Sequence, residues 1–348
     1  MGGNLRQICG VIALVLVGRV TVRADEVLVN DAYLGTEHGH VASDRCQGDC
    51  GLVCACEPET CYALSADLLW LGRGKVDSNF LIVAPAAAPT ASVLHTSELE
   101  FNVEAGVDIG VRSKGQNGQT WELRYFGIYD QLAHERRIYD DGDAVATNDA
   151  TIVHFDTLNG SYTDLTTAYS SDLHSGELNV WLCARWGFEP MFGLRALRQT
   201  EELETFVTTD LTEGALIDFS NDLYGGQIGV RRVLWETPSR CRVEATLMGG
   251  VFHNDMKLDG EVRTGGATTP SVNRSFGATA YGAEVSVTAV YRFTPYFSGR
   301  IGYRGLWLDG VGLAADQIDN FAAATGAGDV DLATLIYQGG HLGLEFAW

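Results

Sequence analysis

The sequence predicts an all-β chain folded as an antiparallel, up-and-down transmembrane β-barrel of about ten strands (ten to twelve), with short periplasmic turns and long extracellular loops. Three observations predict it. Apolar residues recur at every second position in segment after segment. The connections between those segments alternate short and long. Aromatic residues collect at both ends of the apolar faces, as they do where a barrel meets two water–lipid boundaries.

Composition agrees. The chain has 348 residues, a formal net charge of −21, 41 glycines and 46% hydrophobic residues. So acidic a chain argues against nucleic acid as a partner, because phosphate recognition needs a basic surface. A mean hydropathy of zero argues against a bundle of membrane helices.

The first element is an export signal. Arg6 supplies a positive start, Ile8 to Val17 is an apolar run of ten, and Val22-Arg23-Ala24 fits a cleavage site. Ten residues are too few to span a bilayer, which takes about 20. Residues 1–24 therefore read as a signal peptide, 25–60 as a periplasmic Cys-rich leader and 61–348 as the barrel. The leader, with Cys46, Cys50, Cys54, Cys56 and the adjoining Cys61, reads as a disulfide-forming segment in an oxidising compartment. It lacks the C-x2-C spacing of a zinc site, so no metal is expected even with His38 and His40 nearby. Cys183 and Cys241 read as separate buried thiols within strands.

Ten alternating segments follow: Leu64–Trp70, Leu99–Val111, Trp121–Tyr129, Leu178–Phe188, Phe192–Ala196, Gln227–Arg231, Val243–Val251, Ala283–Phe293, Ile301–Trp307 and Leu342–Trp348. Short links are expected at Ser113–Gly118, Glu189-Pro190, Glu236–Ser239 and Thr294-Pro295. Long ones are expected at Arg73–Ser97, Gln131–Ser175, Thr205–Asn221, Met256–Ala278 and Gly310–Ala333, and Ile152–Tyr169 leaves room for a further hairpin. Trp121, Trp186, Phe293 and Trp348 form one aromatic girdle near the short links. Trp70, Tyr129 and Trp307 form the other. The parity places both termini in the periplasm.

The opposite face carries mixed charge. Glu100, Glu104, Asp108, Arg112, Glu122, Arg124, Glu177, Arg185, Arg195, Arg231, Glu244, Glu284, Arg292, Arg300, Arg304 and Glu345 are expected to line the lumen. A ten-stranded tube is narrow, and an unpaired buried charge costs several kcal/mol, so these side chains should pair across it. A lumen closed by ion pairs is the first expectation and a narrow charge-lined pore the second.

The chain ends GGHLGLEFAW. A terminal aromatic closing an alternating strand resembles the signal that outer-membrane insertion machinery recognises, so that machinery and the bilayer are the expected partners. Oligomeric state is left open. Further motifs carry a family resemblance: YALSADLLWLGRG after the cysteines, PMFGLRALRQTEELE, NDLYGGQIGV and GRIGYRGLWLDGVGLAADQI. From about Cys54 to Trp348 the chain resembles the planctomycete outer-membrane β-barrel family. The resemblance implies a barrel in the outer membrane, porin-like at most, and brings no catalytic residues.

Catalysis is the weaker alternative. Asp130, His134, Asp172, His174, His253 and Asp255 sit near the long-loop rim, where an omptin-like outer-membrane hydrolase would hold acid–base partners. No G-x-S-x-G, phosphate loop or metal-ligand pair appears, so the chain reads as a non-enzyme without cofactor. The acidic stretch Asp140–Thr151 departs from the EF-hand pattern and reads as a solvated loop. A surface adhesin acting through such loops is a further alternative.

Overall fold

Ten long strands alternate direction and close on themselves. The computed structural model describes residues 61–74, 80–82, 94–115, 118–138, 164–207, 210–237, 240–264, 267–268, 272–317 and 330–348. The barrel strands are β1 (Cys61–Arg73), β2 (Glu104–Lys114), β3 (Thr120–Ile138), β4 (Asp164–Trp181), β5 (Glu189–Val207), β6 (Asp210–Glu236), β7 (Cys241–Thr264), β8 (Val272–Arg292), β9 (Phe297–Gly312) and β10 (Leu332–Ala347). Each pairs antiparallel with its sequence neighbours, and β1 pairs with β10 to close the ring. Where all ten strands pair, closure leaves no open sheet edge, which a bilayer requires; above that level β3 beyond Ile128 and β8 before Tyr281 are paired on one side only. Ala267–Thr268 adds a two-residue strand beside β7, and Phe80–Ile82 pairs with Leu94–His95 in a small separate sheet.

The terminal aromatic sits at the closing seam. Leu64 lies opposite Phe346 on one side and Val111 on the other. Tyr62 and Trp348 exchange backbone hydrogen bonds at 3.0 and 2.9 Å, and the Trp348 ring stacks on Tyr62 and Phe346. The last residue thus fastens the first strand to the last.

Near the short-turn end the strands are apolar outside and polar inside. Leu123, Leu194 and Ile228 are 62%, 65% and 71% exposed, an arrangement water does not favour and lipid does. This belt runs between an aromatic level at Trp121, Tyr291 and Trp348 and a second at Trp70, Tyr129 and Tyr224. Beyond the second level the faces exchange character. Outward positions become Arg198, Thr200 and Glu202 on β5, and Lys257 and Asp259 on β7. Inward positions become Leu197, Leu203, Ile217, Phe219, Leu223, Phe252, Met256 and Leu258, all buried in one hydrophobic cluster.

This exchange corrects the expected loops. Nine to eleven residues suffice for a membrane strand, whereas β6 has 27 and β7 has 24. Thr205–Asn221, expected as a long loop, is almost wholly strand, with only residues 208–209 between β5 and β6. β3 likewise runs to Ile138 and β4 starts at Asp164, so no extra hairpin enters the ring; β4 absorbs the end of the Ile152–Tyr169 stretch. The Glu189-Pro190 link is also displaced. β4 stops at Trp181, residues 182–188 make the turn around an Arg185–Phe188 bridge, and Glu189-Pro190 open β5.

Candidate functional site

Among the described residues the lumen gathers most of the buried charge, and it is filled in two layers. The layer inside the apolar belt is ionic. Asp108 on β2 receives Arg124 of β3 at 2.8 Å and also Arg304 of β9. Glu284 of β8 receives Arg195 of β5 at 3.0 Å, Arg124 at 3.2 Å and Arg304 at 3.3 Å. Glu122 takes Arg112 at 2.7 Å and the Trp181 indole N–H at 2.9 Å. Arg112 also reaches Glu345 at 3.3 Å, and Arg300 spans Glu345 at 3.6 Å and Asp67 at 3.5 Å. Glu177 accepts from Asn179 and Gln227 at 3.0 Å each. Arg231 pairs with Glu189 at 2.5 Å, and Arg242 with Glu244 at 3.4 Å. Acids and arginines nearly balance, which offsets the large cost of desolvating each alone.

Aromatic rings bound this layer. Arg124, Arg195 and Arg304 each set the guanidinium within 5.7 Å of the Phe126 ring centre. Trp181 lies under Arg231 at 4.4 Å at the short-turn end. Small wall residues make the room: a side chain at Gly343 would collide with the Asp67 carboxylate and the Ala66 carbonyl. The space left among these groups is about 50 Å³.

The second layer is apolar around a polar thread. Arg73 pairs with Glu201 at 2.5 Å, with both side chains 0% exposed. The Phe101 ring covers the guanidinium at 4.4 Å. Glu201 also accepts from Tyr169, from Gln199 at 2.5 Å and from the Ala314 N–H at 2.8 Å. Asn221 donates to Gln199, and it both donates to and accepts from the backbone of Gly312. Asn254 donates to Asn221 and to the Gly310 carbonyl. These contacts draw a short 3-10 segment, Ala314–Gln317, into the mouth, where Ala314, Ala315 and Gln317 are fully buried.

The placement of the expected residues follows from this. Asp108, Glu122, Arg231, Glu244, Glu284, Arg300, Arg304 and Glu345 are buried inside the tube, with Arg124 half-buried among them. Glu104 opens β2 opposite the inward Leu71, and Arg292 is half-buried at the short-turn rim. Two positions are corrected. Glu100 is exposed before β2, because Leu99 turns in to pack the core and the strand starts only at Glu104. Arg185 belongs to the turn after β4, where it lies over Trp186. In the girdles Trp70, Trp121, Tyr129 and Trp348 lie on the outer face, Trp307 is half-buried there, and Phe293 stands in the turn after β8. Trp186 is corrected: it is 92% exposed in a turn with φ 54°.

The lumen also holds residues the sequence reading passed over: Asp67, Arg73, Glu189, Glu201 and Arg242. Cys46, Cys50, Cys54 and Cys56 lie outside the described residues, as do the signal peptide, the leader, His38, His40 and Asp140–Thr151; Cys61 opens β1. No disulfide joins the half-buried Cys183 and Cys241, of which the first falls in a turn rather than a strand.

The rim His and Asp residues do not converge on a cleft. The Asp130 N–H bonds Asp172 at 2.7 Å, His174 bonds Tyr125 at 2.9 Å, and His253 bonds Asp255 at 3.1 Å on the exposed outer wall. Above the belt, Glu202, Asp218 and Asp259 stand opposite one another across β5, β6 and β7. Burial, and then the charges of Glu202 and Asp259, push the Asp218 carboxyl up to about 6.

A closed ten-stranded antiparallel ring with an apolar belt and a polar lumen defines the class: an outer-membrane-type β-barrel. Among solved structures it is similar to the outer membrane protease OmpT of Escherichia coli, at TM-score 0.43 and 10% identity over 83% of this chain and 97% of that one. It is also similar to the toluene transporter TbuX of Ralstonia pickettii, at 0.32 and 10% over 85% and 90%, and to a Pseudomonas aeruginosa FadL homologue, at 0.25 and 9% over 83% and 90%. At these scores the likeness carries no argument of its own, and the class rests on the sheet and its belt. No protein-family model and no curated protein matches the chain.

Proposed function

We propose that this chain is an integral outer-membrane β-barrel with a structural role in the cell envelope, its lumen closed at rest. The observation that carries the reading is the double filling of the tube: an ion-pair layer bounded by Phe126 and Trp181, then an apolar core that takes in Ala314 and Ala315. The space of about 50 Å³ left among the charges supports it. The short turns, with the chain terminus, face the periplasm, and the extended strand ends face outward. The test is conductance of the refolded chain in a planar bilayer. The reading expects no steps in the untreated protein; sustained conductance would replace it with the narrow-pore reading.

A second reading, a surface interaction barrel, draws support from the outward wall above the belt, which presents Glu202, Asp218 and Asp259 to water. It expects a partner that binds the intact barrel and is lost when these carboxylates are replaced by amides. The hydrolase alternative needs an acid–base pair facing a cleft, and His253–Asp255 faces away from the lumen.

A further inference from the structure

The outer face of the belt carries a groove that the proposed function does not use. It crosses β3 to β7, has a volume of about 750 Å³, and is bounded by Trp121, Phe192, Ile228 and Val251 over a floor of Gly226 and Gly249. Glycine in a strand interior weakens it, so its presence needs a reason. Neither position has the positive φ that demands glycine. Neither is crowded, since an added Cβ would meet nothing nearer than 3.9 Å at Gly226 or 3.8 Å at Gly249. What the two glycines do is leave space on the side that faces lipid.

The foot of the groove is cationic. On the outward face of β6, Arg232 follows Ile228 by two outward positions, roughly 13 Å along the strand. Its guanidinium lies 4.7 Å over Phe188 in the adjoining turn, which also carries Arg185. Arg240 is exposed in the next turn, with Glu236 the single acid between them. None of the three guanidinium groups pairs with a carboxylate among the described residues. In a chain of net charge −21 this local excess of positive charge points to an anionic partner. An apolar trough with cations at the membrane-interface end matches one chemistry, an acyl chain with a phosphate headgroup. A second copy of the chain fits less well, because apposing this face to itself brings two arginine clusters together.

We propose that the groove is a binding site for an anionic phospholipid of the periplasmic leaflet, with an acyl chain over Gly226 and Gly249 and the phosphate held by Arg185 and Arg232. The inference rests on the membrane reading above. To test it, the full chain is folded in detergent, verified by heat-modifiable gel mobility, and given equal amounts of phosphatidylglycerol and phosphatidylcholine. Retained lipid is then counted by native mass spectrometry. The expected result is a preference for phosphatidylglycerol of about tenfold. G226L/G249L fills the trough and abolishes retention of both lipids, and R185Q/R232Q removes the preference while leaving weak retention. Three results overturn the proposal: equal retention of the two lipids by the unsubstituted chain, full retention by G226L/G249L, or a lipid-free dimer that G226L/G249L converts to monomer. A chain that folds without detergent overturns the membrane reading and this inference with it. A chain that folds only in detergent yet keeps no lipid overturns the inference alone.

Discussion

Glu201→Gln removes one charge from the apolar layer and leaves nearly every atom in place. Glu201 answers Arg73 at 2.5 Å, Gln199 at 2.5 Å and the Ala314 N–H at 2.8 Å, and neither charged side chain has any exposed surface. Glutamine keeps an oxygen for one of these donors but strands the Arg73 cation under Phe101. Breaking a buried pair from one side costs about 3–5 kcal/mol. That corresponds to roughly a 150- to 5000-fold shift toward the unfolded state. Guanidinium titration of the refolded barrel measures it, as a lower midpoint at unchanged slope. R73M/E201M should recover most of the loss, because removing both ions removes the desolvation cost with the attraction. The reasoning is refuted if Glu201→Gln lies within about 1 kcal/mol of the unsubstituted chain, or if the double variant is as unstable as the single one.

Four further outcomes are expected. Arg304→Met, which strips one donor from Asp108 and Glu284, should cost about 3–5 kcal/mol yet leave a bilayer silent, because the apolar layer still fills the tube. Trp348→Ala loses its stacking on Tyr62 and Phe346, worth about 1–2 kcal/mol, and should lower the fraction of chain that reaches the heat-modifiable form. Gly343→Val should prevent β1 and β10 from closing, read as absence of the compact gel band, whereas Gly226→Ala should leave it unchanged. The Asp218 carboxyl is raised from its ordinary 3.8 to about 6. Its contribution to stability is therefore full at low pH and lost as pH rises through about 6. Asp218→Asn should stabilise the barrel in titrations above pH 6 and change little below pH 4.

The lower half of the barrel was legible because one period with one phase runs through it. Leu194, Ile228 and Leu344 mark the lipid side, and Arg195, Gln227 and Glu345 mark the lumen. The upper half keeps the period and reverses the phase. On β5 the apolar residues move from Phe192, Leu194 and Ala196 to Leu197 and Leu203, and on β7 from Leu247 and Val251 to Phe252, Met256 and Leu258. A single-phase reading takes that reversal for the end of a strand and the start of a loop. Arg73 and Asn221 were lost in the supposed loops, and Glu201 in the unassigned stretch before one, since Arg73 meets Glu201 and Asn221 meets Gly312 across the lumen and not along the chain. The charged layer could be listed but not wired, because strand register fixes which arginine meets which acid. Trp186 kept the right parity for a strand, yet the chain had already turned at Leu182.

The exchange of faces has a consequence for where the molecule floats. On β5 and β6 the wall turns from one built for oil outside to one built for water outside within a single outward step. On β5 the change falls between Ala196 and Arg198, and on β6 between Tyr224 and Asp222. Sinking the barrel by two residues would drag Arg198 and Asp222 into hydrocarbon, and raising it by two would lift greasy side chains into water. Each move is penalised on neighbouring strands together, so the chain carries its own waterline. Its depth in the bilayer is set by the sheet itself, whatever the loops above it are doing.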